Sequence, residues 1–497
     1  MNTSSSALSE RARRRGWRGE ALHAAFAAAG PSRPWTIGYR SLDVDHLASE
    51  AQITGRLPAE LRGTLYRNGP ARHERGGQRY GHRWDGDGMV QQFRFSDRGV
   101  AHVGQYVHTA KYVAESECDR ILFSGFGTHL AGSDVVSGAI DEANPANISV
   151  LHIGGELLAL WEPGSAYRLD PETLATLGVK TWAESLVGKP FSAHPRVEPD
   201  GTLWNFGVDP LNDELTIYHA APDGRLLRSH VVSVHQLSPT HDFAVTERHL
   251  VFLLPPLILN KERLKAGVSF AEACQWTPSL GMRVLTINKS DWSQQFFDLP
   301  PGCLFHIANA WEDGSGVIRM HYMRSEDPIS LLAGWTVMRG EYRHHQGARL
   351  TSLQLDPATG TAVQTTVGEQ DSEFPAIEPA DVGIHYENVL CLERSAGRRP
   401  DLPGFDQVAL INVESGDSHR FSYGDDWLVE EHLLVRADGE TRSRWIVGTA
   451  LDLAERQTVV SIFNVEALDD GPVARARLPY ALPLGLHGTY RPLPVNP

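Results

Sequence analysis

The sequence predicts an all-β fold in which many short hairpins close into a β-propeller. Past residue 50, short apolar or alternating runs are repeatedly separated by turns of Asp, Asn and Gly, which is the pattern of hairpins. Helical periodicity is weak there, and no low-complexity linker divides the stretch. Hairpins spread over about 430 residues favour closure by radial repetition. Because the repeats are degenerate, their rhythm leaves the number of blades open, and a pair of β-sandwiches is the alternative.

Six hairpins can be placed in chain order. In the first, ISVLHIGGELLALWE predicts two strands that turn at Gly154 and Gly155. The other five repeat the order of apolar run, turn and apolar run, at residues 241–256, 283–299, 349–367, 407–423 and 458–478. Helical patterns are confined to the N-terminus and to residues 259–276.

The N-terminal 40 residues are expected to be an extension, partly helical or frayed, that precedes a single domain over residues 41–497. The run Arg13, Arg14 and Arg15 followed by LHAAFAAAG resembles a signal peptide only superficially. The apolar run is short, and His23 and Glu20 interrupt it. We interpret it as an amphipathic helix.

Composition is that of a globular protein without a nucleic-acid partner. The 497 residues are 41% hydrophobic and 22% charged, enough to bury a large core. The net charge of −15 argues against binding to a phosphate backbone, which needs clustered Lys and Arg. Four cysteines without a CxxC pair indicate free thiols in a reducing compartment. With no run of 18 apolar residues, we expect a cytoplasmic protein that does not span a membrane.

Four histidines stand far apart in the chain, each in a distinctive local phrase. They are His194 in SAHPRV, His241 in SPTHDFAV, His306 in CLFHIANAWE and His487 in LGLHGTY. Intervals of 47, 65 and 181 residues exclude a local metal finger, so only a large closed fold can bring the four together. Four neutral imidazoles form an all-nitrogen site suited to Fe, Zn, Cu or Ni.

The phrase GTLYRNGPARHERGGQRYGHRWDGDGM at residues 63–89 resembles the opening signature of the carotenoid cleavage oxygenases. The resemblance continues through LLALWEPG, SAHP, HDFAVT, FHIANAWE, EFP and LHGTY, and covers about residues 40–495. It implies a seven-bladed β-propeller with a helical, loop-rich cap over an axial metal. It also implies one Fe(II) per chain, held by His194, His241, His306 and His487.

Three glutamates outside the ligand shell are implied by the same resemblance. Neutral histidine ligands need an acceptor for their second nitrogen. Glu162 in ALWEPG and Glu373 in SEFP fit the first two positions. For the third, WLVEEHLLVR offers Glu430 or Glu431, and we prefer Glu430 because its distance to the following VR fits better.

The resemblance implies oxidative cleavage of a carbon–carbon double bond by O2, giving two carbonyl products. Four ligands on an octahedral ion leave two positions for dioxygen, so no acid, base or nucleophile of the protein is required. The expected substrate is a lipophilic alkene, namely a carotenoid or apocarotenoid. A stilbenoid or phenylpropenoid alkene is the first alternative. A non-catalytic propeller used as a binding module, with a degenerate metal site, is the second.

Two departures from the family pattern bear on the substrate cavity. Ile148 replaces a threonine that would lie near the open iron position. Trp161 stands where stilbenoid-cleaving relatives commonly carry Lys, which favours a polyene, although core packing is the alternative role for Trp161. The stretch LVFLLPPLILNKERLKAG, residues 250–267, is either an apolar patch for peripheral membrane contact or a buried strand followed by a surface helix.

Overall fold

Seven antiparallel sheets form the blades of a propeller in the computed structural model, which describes residues 18–130, 140–437 and 440–493. This confirms the predicted propeller and gives its blade number. We number the blades 1 to 7 in chain order and list each blade from its central strand outward. The remaining paired strands are two short ribbons, Glu74–Arg75 with Gln78–Arg79 and Leu257–Leu259 with Cys274–Trp276.

Blades 2 to 6 have four strands each, consecutive in the chain apart from the second ribbon. Blade 2 contains Ser149–Ile153, Glu156–Leu160, Tyr167–Leu169 and Thr176–Val179. Blade 3 contains Arg196–Val197, Leu203–Asp209, Glu214–Ala220 and Leu226–Ser233. Blade 4 contains Ala244–Val245, His249–Leu254, Met282–Asn288 and Gln294–Leu299. Blade 5 contains Cys303–Glu312, Ile318–Ser325, Arg349–Asp356 and Thr361–Thr366. Blade 6 contains Asp371–Ala376, Asn388–Arg394, Gln407–Asn412 and Ser418–Ser422.

Blades 1 and 7 combine strands from both ends of the chain and so close the ring. Blade 1 contains Gly488–Pro492, Gly63–Arg72, Asp87–Ser96, Gly99–Tyr106 and His46–Glu50. Blade 7 contains Trp427–Val435, Trp445–Asp452, Gln457–Asn464, Ala474–Arg477 and Gln52–Gly55. The last strand pairs antiparallel with the second strand of blade 1, with Arg67 opposite Gly488. Closure of this kind fastens both ends of the chain into the ring and leaves only short edges at the outer strands of the blades.

Apolar side chains between neighbouring blades hold the ring together. Seven buried clusters follow the seven blade junctions, for example Leu253, Met282 and Tyr322 between blades 4 and 5. Each fully buried Leu, Ile or Phe contributes roughly 1.5–3 kcal/mol. The apolar core therefore lies between the blades, and polar side chains can occupy the axis of the ring.

Helices and loops between the blades form the cap. Within the described residues the α-helices are Gly19–Ala29, Ala110–Cys118, Lys261–Lys265, Phe270–Ala273 and Ile329–Val337. Short 3-10 turns are Gly30–Ser32, Pro34–Tyr39, Arg83–Asp85, Ile140–Ala143, Glu184–Leu186, Pro278–Leu280, Pro379–Asp381 and Val465–Asp470. The cap segments bond to one another: Trp335 Nε1 donates to the carbonyl of Gly127, and the Ala271 amide donates to the carbonyl of Phe126.

The N-terminal helix belongs to this cap. Gly19–Ala29 buries Phe26, and the guanidinium of Arg79 lies 3.4 Å from the centre of that ring. Trp35, in the turn that follows, is 1% exposed and packs in the same apolar cluster. The basic run at Arg13, Arg14 and Arg15 lies outside the described residues.

The six predicted hairpins are confirmed, whereas the single helix predicted over residues 259–276 is wrong. Asn260 caps one short helix, and Ser269 with Glu272 forms the capping box of the next. Between them Gly267 has φ +88°, a left-handed conformation that ends a helix.

The apolar stretch 250–267 begins in the core. Leu250, Phe252 and Leu254 are buried at the junction of blades 3 and 4. Its first five residues are therefore a buried strand, and the stretch continues through the short strand Leu257–Leu259 into one helix, Lys261–Lys265. In the part of the chain that the structure describes, no helix combines the length and apolarity needed to cross a membrane. The four cysteines are free.

Candidate metal centre

Each of the seven blades sends one side chain to the centre of the ring. Blades 3, 4, 5 and 1 provide histidines at or beside their central strands, and blades 2, 6 and 7 provide glutamates. The histidines are His194, His241, His306 and His487, and their nitrogens all lie within 4.8 Å of one another. The structure thus brings together the four histidines that the sequence singled out.

The histidine nitrogens face a common point. Nε2 of His306 lies 3.3 Å from Nε2 of His241 and 3.1 Å from Nε2 of His487. Nε2 of His194 is buried and, within the described residues, has no hydrogen-bond partner. Unprotonated imidazole nitrogens this close repel one another unless they share a cation. This donor set therefore fits a metal ion held by four neutral imidazoles.

Three glutamates fix which ring nitrogen carries the proton. Nδ1 of His241 pairs with Glu162, and Nδ1 of His306 lies 2.5 Å from Oε2 of Glu373. A carboxylate at Nδ1 selects the Nδ1–H tautomer and leaves the Nε2 lone pair for a metal. Glu162 and Glu373 occupy the positions expected of them.

The third glutamate is Glu431, so the preference for Glu430 was wrong. Oε1 of Glu431 lies 2.8 Å from Nδ1 of His487, whereas Oε1 of Glu430 accepts the backbone amide of Gly485. The cause is local: the register between the first two strands of blade 7 shifts between Val429 and His432. Such a bulge re-aims consecutive side chains, which no spacing rule anticipates.

Glu431 also bonds to Arg67, which the sequence analysis did not single out. Nη1 of Arg67 donates to Oε2 of Glu431 at 2.6 Å, and the Gly488 amide donates to the same oxygen at 2.8 Å. Burial alone would raise the pKa of the Glu431 carboxyl, but His487, Arg67 and the Gly488 amide outweigh it and lower that pKa. Glu431 is therefore an ionised acceptor for His487. The sequence signal that could have identified Arg67 is the RNGP phrase, in which it is the first residue.

Burial favours the neutral form of two of the four histidines, His194 and His487. Burial and the neighbouring histidines hold the pKa of His194 well below its usual value. Burial also lowers the pKa of His487, against the opposing effect of Glu431. For His241, burial lowers the pKa, but the Glu162 carboxylate outweighs it and the net shift is upward.

Phe374 is held in a strained conformation beside the histidines. Its φ of 56° is left-handed, which is rare for a bulky side chain. In that conformation its amide donates to Oε2 of Glu373, and its ring lies 5.1 Å from His306 and 5.3 Å from His487. The EFP phrase thus supplies both the acceptor for a histidine and part of the wall around it.

A cavity of about 250 Å³ opens on the histidines. Its apolar wall includes Ile148, Trp84, Phe305, Phe374 and Phe405. Ile148 lies where the sequence placed it, and its carbonyl accepts the backbone amide of His487 at 3.2 Å.

The predicted cavity position of Trp161 is wrong. Trp161 packs against the apolar cluster between blades 2 and 3 instead of lining the cavity. Core packing, the alternative considered for this residue, is the observed arrangement. The preceding strand, Glu156–Leu160, ends before Trp161, and the chain then turns so that Glu162 rather than Trp161 reaches the cavity.

Comparison with known proteins gives the same family along nearly the whole chain. The profile of the retinal pigment epithelial membrane protein family (RPE65) matches residues 41–492. The apocarotenoid-15,15'-oxygenase of Synechocystis is 28% identical over 473 residues, which are 92% of this chain and 96% of that protein. The lignostilbene-α,β-dioxygenase isozyme III of Sphingomonas paucimobilis is 25% identical over 90% of this chain and 95% of its own.

A solved structure extends the likeness to the fold. The cobalt-substituted Synechocystis apocarotenoid oxygenase superposes with a TM-score of 0.84 at 26% identity, over 93% of this chain and 98% of that one. This chain therefore belongs to the retinal pigment epithelial membrane protein family, that of the carotenoid cleavage oxygenases.

Proposed function

We propose that the protein is a non-haem Fe(II) dioxygenase that cleaves a carbon–carbon double bond of a carotenoid or apocarotenoid. One observation carries the proposal: four histidine nitrogens lie within 4.8 Å of one another, and three of those histidines, His241, His306 and His487, line a cavity with an apolar wall. In the reaction, one double bond of the alkene is broken and each oxygen atom of O2 ends in one of two carbonyl products. No external reductant is needed to balance it.

The residues around the cavity would hold the metal ion, orient the alkene and exclude water. His194, His241, His306 and His487 would hold one Fe(II) per chain, and the three glutamates would balance its charge without occupying its open positions. When bound, iron supplies the activation of O2. The aromatic wall would hold the alkene beside the histidines and exclude water from it.

The substrate class rests on the apolar wall and on the relatives. The Synechocystis relative is named for an apocarotenoid, and the Sphingomonas relative for lignostilbene. Trp161 no longer discriminates between the two classes, since it lies outside the cavity lining. We retain the polyene because the Synechocystis enzyme has the higher identity of the two.

The test is a reconstitution with product identification. The protein is loaded with Fe(II) under anaerobic conditions, and its metal content is measured before it is offered carotenoids, apocarotenoids, 4-hydroxystilbene and a phenylpropenoid in detergent micelles. We expect aldehyde products from a polyene, with oxygen-18 from labelled O2 in both carbonyls when products are trapped early by reduction. Cleavage of the stilbenoid alone would overturn the substrate class, and absence of bound metal would overturn the reaction.

A further inference from the structure

The wall of the cavity has a polar side as well as an apolar one. Tyr342, His344 and Asp371 lie together on the polar side and face the same space as the histidine cluster. Arg343 and His345, which flank His344 in the chain, are exposed, so this side lies toward the mouth of the cavity. A substrate that filled the cavity would therefore meet these three hydrogen-bonding groups on the side nearer the mouth.

The three polar side chains form a chain of contacts. Nε2 of His344 lies 2.5 Å from Oδ2 of Asp371, and the other carboxylate oxygen accepts the Gly347 amide at 2.9 Å. A carboxylate at Nε2 selects the Nε2–H tautomer, so Nδ1 of His344 is left as an acceptor. The hydroxyl of Tyr342 approaches that nitrogen at 3.4 Å.

The last contact is too long to satisfy either atom fully. Hydroxyl hydrogen bonds normally span about 2.5–3.0 Å, and partly buried polar groups rarely stay underpaired. Burial raises the pKa of Tyr342 to about 12, so its hydroxyl keeps its proton at neutral pH. The pair thus offers one donor, on Tyr342, and one acceptor, on His344, both half-buried at the cavity wall.

The strand that carries Asp371, the partner of His344, also places the pair relative to the metal centre. Asp371 and Glu373 are two residues apart on the central strand of blade 6, so they share a face about 7 Å apart. Glu373 contacts His306, and Asp371 contacts His344. The polar pair therefore lies within one small molecule's reach of the histidine cluster.

We propose that Tyr342 and His344 bind an oxygen atom at one terminus of the alkene, so that the substrate is an alkene with a hydroxyl or carbonyl end and not a pure hydrocarbon. This rests on the proposed function. A terminal carbonyl would accept from the Tyr342 hydroxyl, and a terminal hydroxyl would in addition donate to Nδ1 of His344. The hydrocarbon part would then lie along Phe305 and Trp84 toward the histidines. An oxygenated polyene and a hydroxylated stilbene share this chemistry, and the experiment separates them.

The experiment compares matched substrates across matched variants. Tyr342→Phe and His344→Gln are assayed with an aldehyde- or alcohol-terminated polyene, a hydrocarbon polyene of equal length, 4-hydroxystilbene and stilbene. His385→Gln is the control, because His385 forms a similar pair with Glu414, at 2.7 Å, on the exposed surface. Iron content and melting temperature are recorded for each variant.

We expect the KM for the oxygen-terminated substrates to rise about 3- to 10-fold in Tyr342→Phe, as loss of one hydrogen bond predicts, and the KM for the alcohol-terminated or phenolic substrates to rise by a similar factor in His344→Gln. The KM for the hydrocarbon, and both values for His385→Gln, should stay unchanged. Whichever oxygenated class shows the selective loss is the class that the pair binds. Equal losses for oxygenated and hydrocarbon substrates, or no loss, would overturn the proposal.

A binding measurement separates failure of this inference from failure of the proposed function. The affinity of the metal-free protein for the same compounds is followed by quenching of tryptophan fluorescence, to which Trp84 in the cavity wall contributes. If no alkene is cleaved, yet Tyr342→Phe selectively weakens binding of the oxygenated compound, the role proposed for Tyr342 and His344 is supported and the proposed reaction is contradicted. If cleavage proceeds and Tyr342→Phe leaves binding of the oxygenated compound unaltered, the proposed reaction is supported and the role of Tyr342 and His344 is contradicted.

Discussion

Nη2 of Arg196 lies 2.8 and 2.7 Å from the two carboxylate oxygens of Asp242, and this pair ties together the strands that carry three of the four central histidines. The same nitrogen donates to the carbonyl of Ile307 at 2.7 Å, and Oδ2 of Asp242 accepts the Ile307 amide at 2.8 Å. Arg196 follows His194 by two residues, while Asp242 and Ile307 each adjoin a histidine. Because His194 has no glutamate partner among the described residues, its placement depends on this backbone frame.

Replacing Arg196 should therefore weaken metal binding although Arg196 touches none of the histidine nitrogens. We expect Arg196→Gln to lower the affinity for Fe(II) roughly ten- to hundredfold, as loss of outer-shell partners usually does. Competition with a chelator measures it. Arg477→Gln is the matched control, since Arg477 bonds to Asp452 at 2.8 Å in blade 7. Equal affinities in the two variants would contradict the role given to Arg196.

The two neighbouring glutamates of blade 7 should differ sharply. Glu431→Gln removes the ionised acceptor of His487 and the carboxylate to which Arg67 donates a hydrogen bond, so we expect a ten- to hundredfold loss of metal affinity or activity. Glu430→Gln keeps an oxygen that can still accept the Gly485 amide and should change metal affinity by less than about threefold. Metal titration of both variants checks this, and the reverse ranking would restore Glu430.

Removal of one central histidine should abolish the site. His306→Ala deletes the imidazole that lies between His241 and His487, so we expect no stoichiometric iron and no activity. His321→Ala is the control, because His321 is buried in the same blade and bonds to Tyr386, outside the cluster. Elemental analysis of the two purified variants decides it. Full iron occupancy in His306→Ala would remove His306 from the ligand set.

The protein should lose stability in mild acid for reasons apart from the metal. Burial lowers the pKa of His82 and His102 to about 3 and of His321 and His432 to about 4. A histidine with a depressed folded pKa contributes fully above its unfolded value of about 6.5 and loses that contribution as the pH falls. At pH 5 the loss is roughly 2 kcal/mol for each residue.

Urea unfolding of the metal-free protein at pH 7.5, 6 and 5 measures this loss. We expect His321→Asn to flatten the slope of the unfolding free energy between pH 6 and 5 by about one proton relative to the unaltered chain. His385→Asn, at an exposed histidine, should leave the slope unchanged. A slope equal in all three proteins would contradict the assignment of acid sensitivity to buried histidines.

Much of the fold could be predicted from the sequence because a hairpin is formed by residues close together in the chain. Gly154 and Gly155 have positive φ values, which is what a two-residue turn between strands requires, and the predicted strands flank them. The number of blades is not local, since it depends on how Gly488–Pro492 meets Gly63–Arg72 across the ring. Only the family resemblance could supply it.

The central site likewise has parts that local sequence could predict and parts that depend on the folded structure. His194, His241, His306 and His487 were found because each stands in its own phrase. The choice between Glu430 and Glu431 depended on a bulge, and the position of Trp161 depended on how the chain turns after Leu160. Arg196 and Asp242 were passed over because their roles exist only between blades.

The position of His487, directly before the strand that closes blade 1, has a consequence for biosynthesis. A nascent chain leaves the ribosome with His194, His241 and His306 long before His487, and Gln52–Gly55 waits for its partner strand, Ala474–Arg477, near the far end. His194, His241 and His306 could hold an ion with three imidazoles, and His487 would complete the set only once the final strand had docked. Metal binding and closure of the ring would thus both wait for residues 487–492, and a chain cut before His487 would lack both.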